Sequence, residues 1–495
     1  AEADRLASIK AGLSEAEKQR IIEQALALQA RQTEEDDISI LPKVGLEDVP
    51  AKMQIPQGSS HKLDHVEHHF YEQGTNGLVY QQIVVELPQM PEELVDLLPI
   101  YTYCLSELGC GDKTYLQAQA WQDSVSGGVH AYTSVRGLID NEQHIKAYFV
   151  LSGKALARHH QQLNQLMSEM FTRARFDELD RLRELVAQKR ARREQSVTGQ
   201  GHSLAMVAAS SGMSPAAELS HRLSGLLGIK RLKQLDDSLS DRDALQALAD
   251  RFAEIHQYIT DAPRTYLSVA EKDQQAAIDA DIRQCWQSHY SDGFQPFTQA
   301  EVKQQIKHAW LTSTQVNFCA KSYPTVPVSH PDAAVLTVLG GFLRNGYLHR
   351  VIREQGGAYG GGASHEPGNA CFRFFSYRDP RLADTLDDFD KSIDWLINES
   401  HSDLQVEEAI LGVIGSMDKP GSPAGEAKQA FHNALYGRTP EQRQLFRERV
   451  LKVTLADLQR VGETYLKPEL ASVAVITHPQ SEALVKSLGM EIRQL

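Results

Sequence analysis

The sequence predicts an α+β fold: two tandem domains, each a β-sheet covered by helices, preceded by a helical linker arm. Three observations carry this. From about residue 58, apolar β-branched runs alternate with segments of helical period. The order then recurs: Gly127-Gly128 and Gly360-Gly361 lie 233 positions apart, and helices beginning near 155 and 381 are separated by a similar interval. A shared order at a near-constant offset marks a duplicated unit. Residues 1–57, by contrast, carry helix and linker signals only.

Taken in order, Ser14 and Glu17 have capping-box spacing at the start of a helix over 14–32, whose stripe is Ile21, Ile22, Ala25, Leu26 and Leu28. The acidic run Glu34-Glu35-Asp36-Asp37 and the punctuation of Pro42, Pro50, Pro56 and Gly58 follow. Thr75-Asn76-Gly77 signals a turn before the strand Leu78–Leu87. A helix is expected over 92–108, strands near 125–135 and 145–151, a helix at 155–171, and several more helices across 176–256. After the irregular Ser291–Pro296 stretch come a strand around 316–321, a helix at 332–345, a glycine-rich strand start at 357–364, an aromatic strand at 370–377 and a helix at 381–397. The expected division is a linker arm at 1–57, a first domain at 58–285 and a second at 286–495.

Composition narrows the function. Apolar residues make up 41% and charged residues 23%, ordinary for a chain with sizeable cores. With 51 basic and 65 acidic residues the net charge is −14, which argues against nucleic acid or an anionic membrane as partner. Five scattered cysteines, Cys104, Cys110, Cys285, Cys319 and Cys371, include no Cys-x-x-Cys pair. Neither a disulfide framework nor a thiolate metal site is indicated, and a reducing compartment is expected. The first residues lack both an initiator Met and a signal peptide's apolar stretch, and the chain reads as processed or truncated.

Nineteen histidines invite a search for metal ligands. The densest group is His61, His65, His68 and His69, and His61-Lys-Leu-Asp64-His65 approximates the inverted zinc motif His-x-x-Glu-His. That motif needs a helix and a Glu between its histidines. Here the carboxylate is Asp, and the flanking turns suit an edge strand, so the expectation is a polar strand face. No true His-x-x-Glu-His or His-Glu-x-x-His occurs in the chain, and no metal ligand is expected in it.

The segment Arg353-Glu-Gln-Gly356-Gly357-Ala-Tyr359-Gly360-Gly361-Gly362-Ala363 lacks both the phosphate-loop and dinucleotide glycine spacings. Glycines at Gly356, Gly357, Gly360 and Gly361 would let another backbone approach, as a peptide added to a sheet edge does. Arg353 and Tyr359 bring a guanidinium fork and a phenol, both donors to a peptide carbonyl or its oxyanion. The competing reading is a structural turn. The basic cluster Lys189, Arg190, Arg192 and Arg193 reads as a solvated helix face, and Gly421-Ser-Pro-Ala-Gly425 as a loop.

These residues also carry a resemblance. Lys321–Asp332, Tyr347–Gly362, Phe375-Ser-Tyr-Arg-Asp-Pro380, Gly201-His202-Ser-Leu-Ala and Asp418-Lys-Pro-Gly-Ser-Pro423 resemble, in order, the presequence-protease branch of the pitrilysin (insulinase) peptidases. The entry helix and Leu41-Pro42 resemble that branch's mid-molecule linker. The resemblance implies two pairs of related α/β domains that close around short unfolded peptides. Zinc would sit on a first half bearing His-x-x-Glu-His, and this chain would be the second half. The family's substrate-holding Arg and Tyr map onto Arg353 and Tyr359. It further implies an amino-terminal catalytic half as partner, unstructured peptides as substrates, and no hydrolysis by this chain alone. The alternative is a non-catalytic scaffold of the same fold. A bacterial cytoplasm is the favoured compartment, with a mitochondrial matrix as the alternative.

Overall fold

The computed structural model describes residues 2–32, 40–64, 66–286 and 293–495. The acidic run 34–37, His65 and Ser291-Asp292 lie outside the described residues. Residues 1–49 form one unit and 50–495 a second, larger one.

In the first unit, helix Glu15–Gln32 begins where the capping box places it. The Ser14 amide donates to Glu17 Oε2 at 2.8 Å and the Glu17 amide to Ser14 Oγ at 3.3 Å. A shorter helix, Glu2–Gly12, precedes it and was not anticipated. Its weak apolar periodicity explains the omission.

The second unit is built on two six-stranded sheets. The first contains β1 (Ser59–Leu63), β2 (Val66–Glu72), β3 (Leu78–Glu86), β4 (Val129–Gly137), β5 (Ile145–Leu156) and β6 (Arg264–Ala270), in the order β1-β2-β6-β3-β5-β4. The second contains β7 (Lys307–Leu311), β8 (Phe318–Pro324), β9 (Gly360–Glu366), β10 (Cys371–Tyr377), β11 (Ser472–Thr477) and β12 (Glu491–Gln494), in the order β12-β7-β11-β8-β10-β9.

The duplication is visible strand by strand. β2-β6-β3-β5-β4 and β7-β11-β8-β10-β9 share order and direction, with β2 parallel to β6 and β7 parallel to β11. The remaining neighbours in both runs are antiparallel. Only the outermost strand differs: β1 pairs antiparallel with β2, whereas β12 lies parallel to β7. The two Gly-Gly pairs noted in the sequence fall at equivalent places, just before β4 and at the start of β9.

Each sheet buries one face under helices from its own half. Phe70, Ile83, Val85, Phe149 and Leu151 meet Leu163, Met167, Phe171, Phe252 and Ile255 in one core. The other face is covered by a helix from the opposite half. Helix Pro423–Leu435 lays Ala424, Ala427, Ala430 and Phe431 on Val84, Val150, Leu267 and Val269 of the first sheet. Helix Gly201–Ser210 lays Ala205, Ala208 and Ala209 on Trp310, Phe318, Ala320 and Ile476 of the second. Small residues let these helix backbones lie close to the strands, and each exchange adds apolar burial worth roughly 25 cal/mol per Å². The sheets are thereby joined through two reciprocal covers.

The expected helix at 92–108 divides into Glu92–Val95 and Leu98–Leu105, with Pro99 in the first turn of the latter. The helix expected at 332–345 is Pro331–Leu343, and it continues as a π-helix over Arg344–Gln355. At Gly346 an added Cβ would lie 2.4 Å from the Trp395 ring, so this turn is closely packed.

Candidate functional site

β9 is the last strand of the second sheet, and among the described residues no strand pairs with its outer side. Its inner side is zipped to β10 from Gly360↔Tyr377 to Glu366↔Cys371. An edge of this kind exposes main-chain donors and acceptors that an extended peptide can match.

The π-helix leads directly to that edge. Arg353 lies in its last turn, and the Arg353 carbonyl accepts from the Gly357 amide at 3.1 Å. The Ile352 carbonyl accepts from the Ala358 amide at 3.1 Å, closing the turn that carries Tyr359 to β9. Wide helical turns of this type recur at functional sites. The Arg353 side chain is exposed, and Nη1 lies 3.3 Å from His349 Nε2. No carboxylate pairs with it among the described residues. Tyr359 is 69% exposed, while its amide donates to the Tyr377 carbonyl at 3.0 Å. Its backbone is fixed and its phenol faces solvent.

The glycines divide by role. Gly357 sits at φ 78°, where a Cβ would strain the turn. A Cβ on Gly356 would meet Arg381 Nη2 at 2.0 Å and the Ile352 carbonyl at 2.6 Å. On Gly361 it would meet Ile352 Cγ2 at 2.8 Å. Both glycines are required by the protein's own packing, not by room for a ligand. Gly360 alone among the four named in the sequence has no atom within 4 Å of such a Cβ and a permissive φ, so it is the glycine open to another backbone.

Two neighbours, quoted in the sequence only within family-like motifs, stand beside Tyr359. Tyr377 places its ring 5.5 Å from that of Tyr359, and its hydroxyl donates to the Gly199 carbonyl at 3.3 Å. His202 packs 4.7 Å from Tyr377, and burial pushes its imidazole below the usual histidine range. The i, i+2 aromatics Phe375 and Tyr377 were the available signal, since alternate residues of a strand share a face. Asp379, in the same motif, is fully buried and structural: its carboxylate accepts from the Arg381 amide at 2.9 Å and from Thr385 Oγ1 at 2.7 Å.

The histidine group lies at the opposite edge of the other sheet. His61 is on β1 and His68 on β2, as the strand expectation required, and Asp279 joins them from helix Gln275–Cys285. His69 faces away, 3.1 Å from Glu67 and against Phe431. The sequence contains no His-x-x-Glu-His, and His61, His68 and His69 lie on strands.

Two family profiles cover most of the chain. One, described as associated with subfamily C of the M16 peptidases, matches residues 1–235, and the other, described as "PreP C-terminal domain", matches 307–477. The chain belongs to the presequence-protease branch of the M16 peptidases. This M16 chain is 29% identical over 478 residues to the mitochondrial presequence protease of Yarrowia lipolytica, covering 94% of the chain and 47% of that protein. With the Xenopus tropicalis counterpart it shares 28% over 528 residues, covering 99% of the chain and 50% of that protein. It thus spans about half the length of these relatives. The fold matches the peptidase M16 inactive domain from Pseudomonas fluorescens with a TM-score of 0.58 at 14% identity, covering 86% of this chain and 98% of that one.

One expectation is corrected. The relatives are mitochondrial proteins by name, which favours a mitochondrial compartment over the bacterial cytoplasm expected from the sequence. The few scattered cysteines do not separate the two compartments.

Proposed function

We propose that this chain is the carboxy-terminal, substrate-gripping half of a zinc-dependent endopeptidase that degrades short unstructured peptides inside a closed chamber. The observation that carries the reading is the exposed Tyr359 phenol at the head of the unpaired β9 edge, one turn beyond an Arg353 with no carboxylate partner among the described residues. A peptide strand along β9 would present a carbonyl to these two donors, which suit the charge that develops on it during hydrolysis. Gly360 supplies the open approach. Residues 1–57 would be the linker arm, with 58–285 and 286–495 the third and fourth domains of the whole enzyme. The water-activating zinc would be held by the amino-terminal half, because this chain lacks the ligand motif. Alone, the chain binds peptide without cutting it.

The test is peptide turnover by the intact two-half enzyme carrying Arg353→Gln or Tyr359→Phe. Loss of turnover with an unchanged thermal midpoint supports the reading, and unchanged turnover removes both residues from the mechanism. The second reading, a non-catalytic partner subunit, is favoured by the likeness to an M16 domain described as inactive. Full turnover in both variants together with retained binding of an amino-terminal half would select it.

A further inference from the structure

β1 and β2 form the edge hairpin of the first sheet, and Asp64 at φ 56° stands at its turn. His61 and His68 are direct cross-strand partners, so their side chains share a face, with ring centroids 5.1 Å apart. Helix Gln275–Cys285 crosses that face and directs Asp279 between them. Asp279 Oδ2 lies 3.1 Å from His61 Nε2, and Oδ1 lies 2.9 Å from His68 Nδ1. All three donor atoms fall within 4.8 Å of one another.

The geometry points to a divalent metal site formed by His61, His68 and Asp279, taking a zinc-class ion. Two imidazoles and a carboxylate are a donor set that zinc accepts, with a water completing the tetrahedron. In such a site ligand atoms stand about 3.3 Å apart when each is about 2.0–2.1 Å from the ion. The two separations to Asp279, one to each carboxylate oxygen, are close to that edge, and a monodentate carboxylate would turn to offer one oxygen to the ion. His61, with 30% of its side chain exposed, is the ligand able to swing inward, and it leaves the open side to water. His68 is held by a second partner: its Nε2 lies 3.0 Å from Ser268 Oγ on β6, the outer hydrogen bond that orients a metal-bound imidazole. Among the described residues no lysine or arginine pairs with Asp279, so its charge faces only the two rings. The ion would tie an edge hairpin to a helix and so stiffen a strand otherwise held from one side. The sequence pointed away from a metal here because the local pattern reads as a strand, and the third ligand, Asp279, lies 211 residues from His68.

The test uses the full chain, stripped with chelator and titrated with zinc chloride by calorimetry, with bound metal measured by elemental analysis and unfolding followed thermally. About one equivalent of zinc and a midpoint that rises with zinc concentration are expected. His61→Gln can still donate a hydrogen bond to Asp279, so it should keep the zinc-free midpoint while weakening zinc binding by at least about tenfold. Asp279→Asn should abolish the zinc-dependent rise. Substoichiometric zinc, or uptake that both variants leave unchanged, overturns the proposal and leaves the three residues as a hydrogen-bonded staple.

Discussion

The ring of Tyr359 meets that of Tyr377 edge-to-face, with centroids 5.5 Å apart and planes at 88°. Because the Tyr377 hydroxyl is anchored on the Gly199 carbonyl, an exposed phenol is braced by a neighbour tied to the other half of the unit. Aromatic pairs in this geometry contribute about 0.5–1.5 kcal/mol beyond area burial. That is enough to favour one ring position for an otherwise free side chain.

From this pair comes the first prediction. In the intact enzyme, Tyr359→Phe keeps the ring contact and removes only the hydroxyl. Turnover should fall by roughly 10²–10³, the usual cost of losing one donor to a developing oxyanion, with stability changed by less than about 0.5 kcal/mol. Steady-state kinetics set beside urea unfolding would show it. A drop in stability that matches the drop in activity would instead mark Tyr359 as structural.

Gly201→Ala offers a test of the reciprocal helix cover. On an exposed helix this change is neutral or stabilising, but here the new Cβ would come 2.6 Å from the Phe318 ring, itself fully buried. Overpacking of that kind costs about 1–3 kcal/mol. Chemical denaturation should register a loss of that size, and a gain would mean the helix does not seat on the second sheet as described.

Asp418 and Arg447 form a well-enclosed ion pair in the second half. Arg447 is fully buried, and its Nε and Nη2 lie 3.0 and 2.7 Å from Asp418 Oδ2. Removing the carboxylate strands a buried guanidinium, so Asp418→Ala should lower stability by about 3 kcal/mol. Replacing both residues with apolar side chains should restore much of the loss. If the double variant is the weaker of the two, the pair itself is the stabilising element.

Acid sensitivity follows from buried histidines. Burial pushes His365 down to about 3 and His256 to about 4. With folded values below the unfolded value near ~6.5, the unfolded chain binds more protons between these limits. Stability should therefore be intact above pH ~6.5 and fall as pH drops through ~4 towards ~3. His365→Asn, which retains a donor for the Ala333 carbonyl now 3.1 Å from Nδ1, should flatten that fall. Urea midpoints at closely spaced pH values would reveal equal slopes if the account is mistaken.

Much of the architecture was legible because local pattern encodes local structure. Apolar β-branched and aromatic runs announced β3, β5 and β10, and Ser14 with Glu17 announced the second helix of the arm. The glycine-rich run announced a strand start, and that strand lies at the edge of the second sheet. Its individual glycines were less legible. Which of them face solvent depends on Ile352 and Arg381 folding back over Gly361 and Gly356, and no local spacing encodes that.

What the sequence determined by itself was the α+β class, the duplication and the family. These rest on periodicity, turn residues and motif order, all properties of neighbours along the chain. Only the tertiary structure decided that helices Gly201–Ser210 and Pro423–Leu435 each cover the other half's sheet, and that Asp279 meets His61 and His68. The reason is physical. An alanine-rich helix carries no mark of which sheet it will cover, and a carboxylate 211 residues from its partner is brought there by the packing of helix Gln275–Cys285.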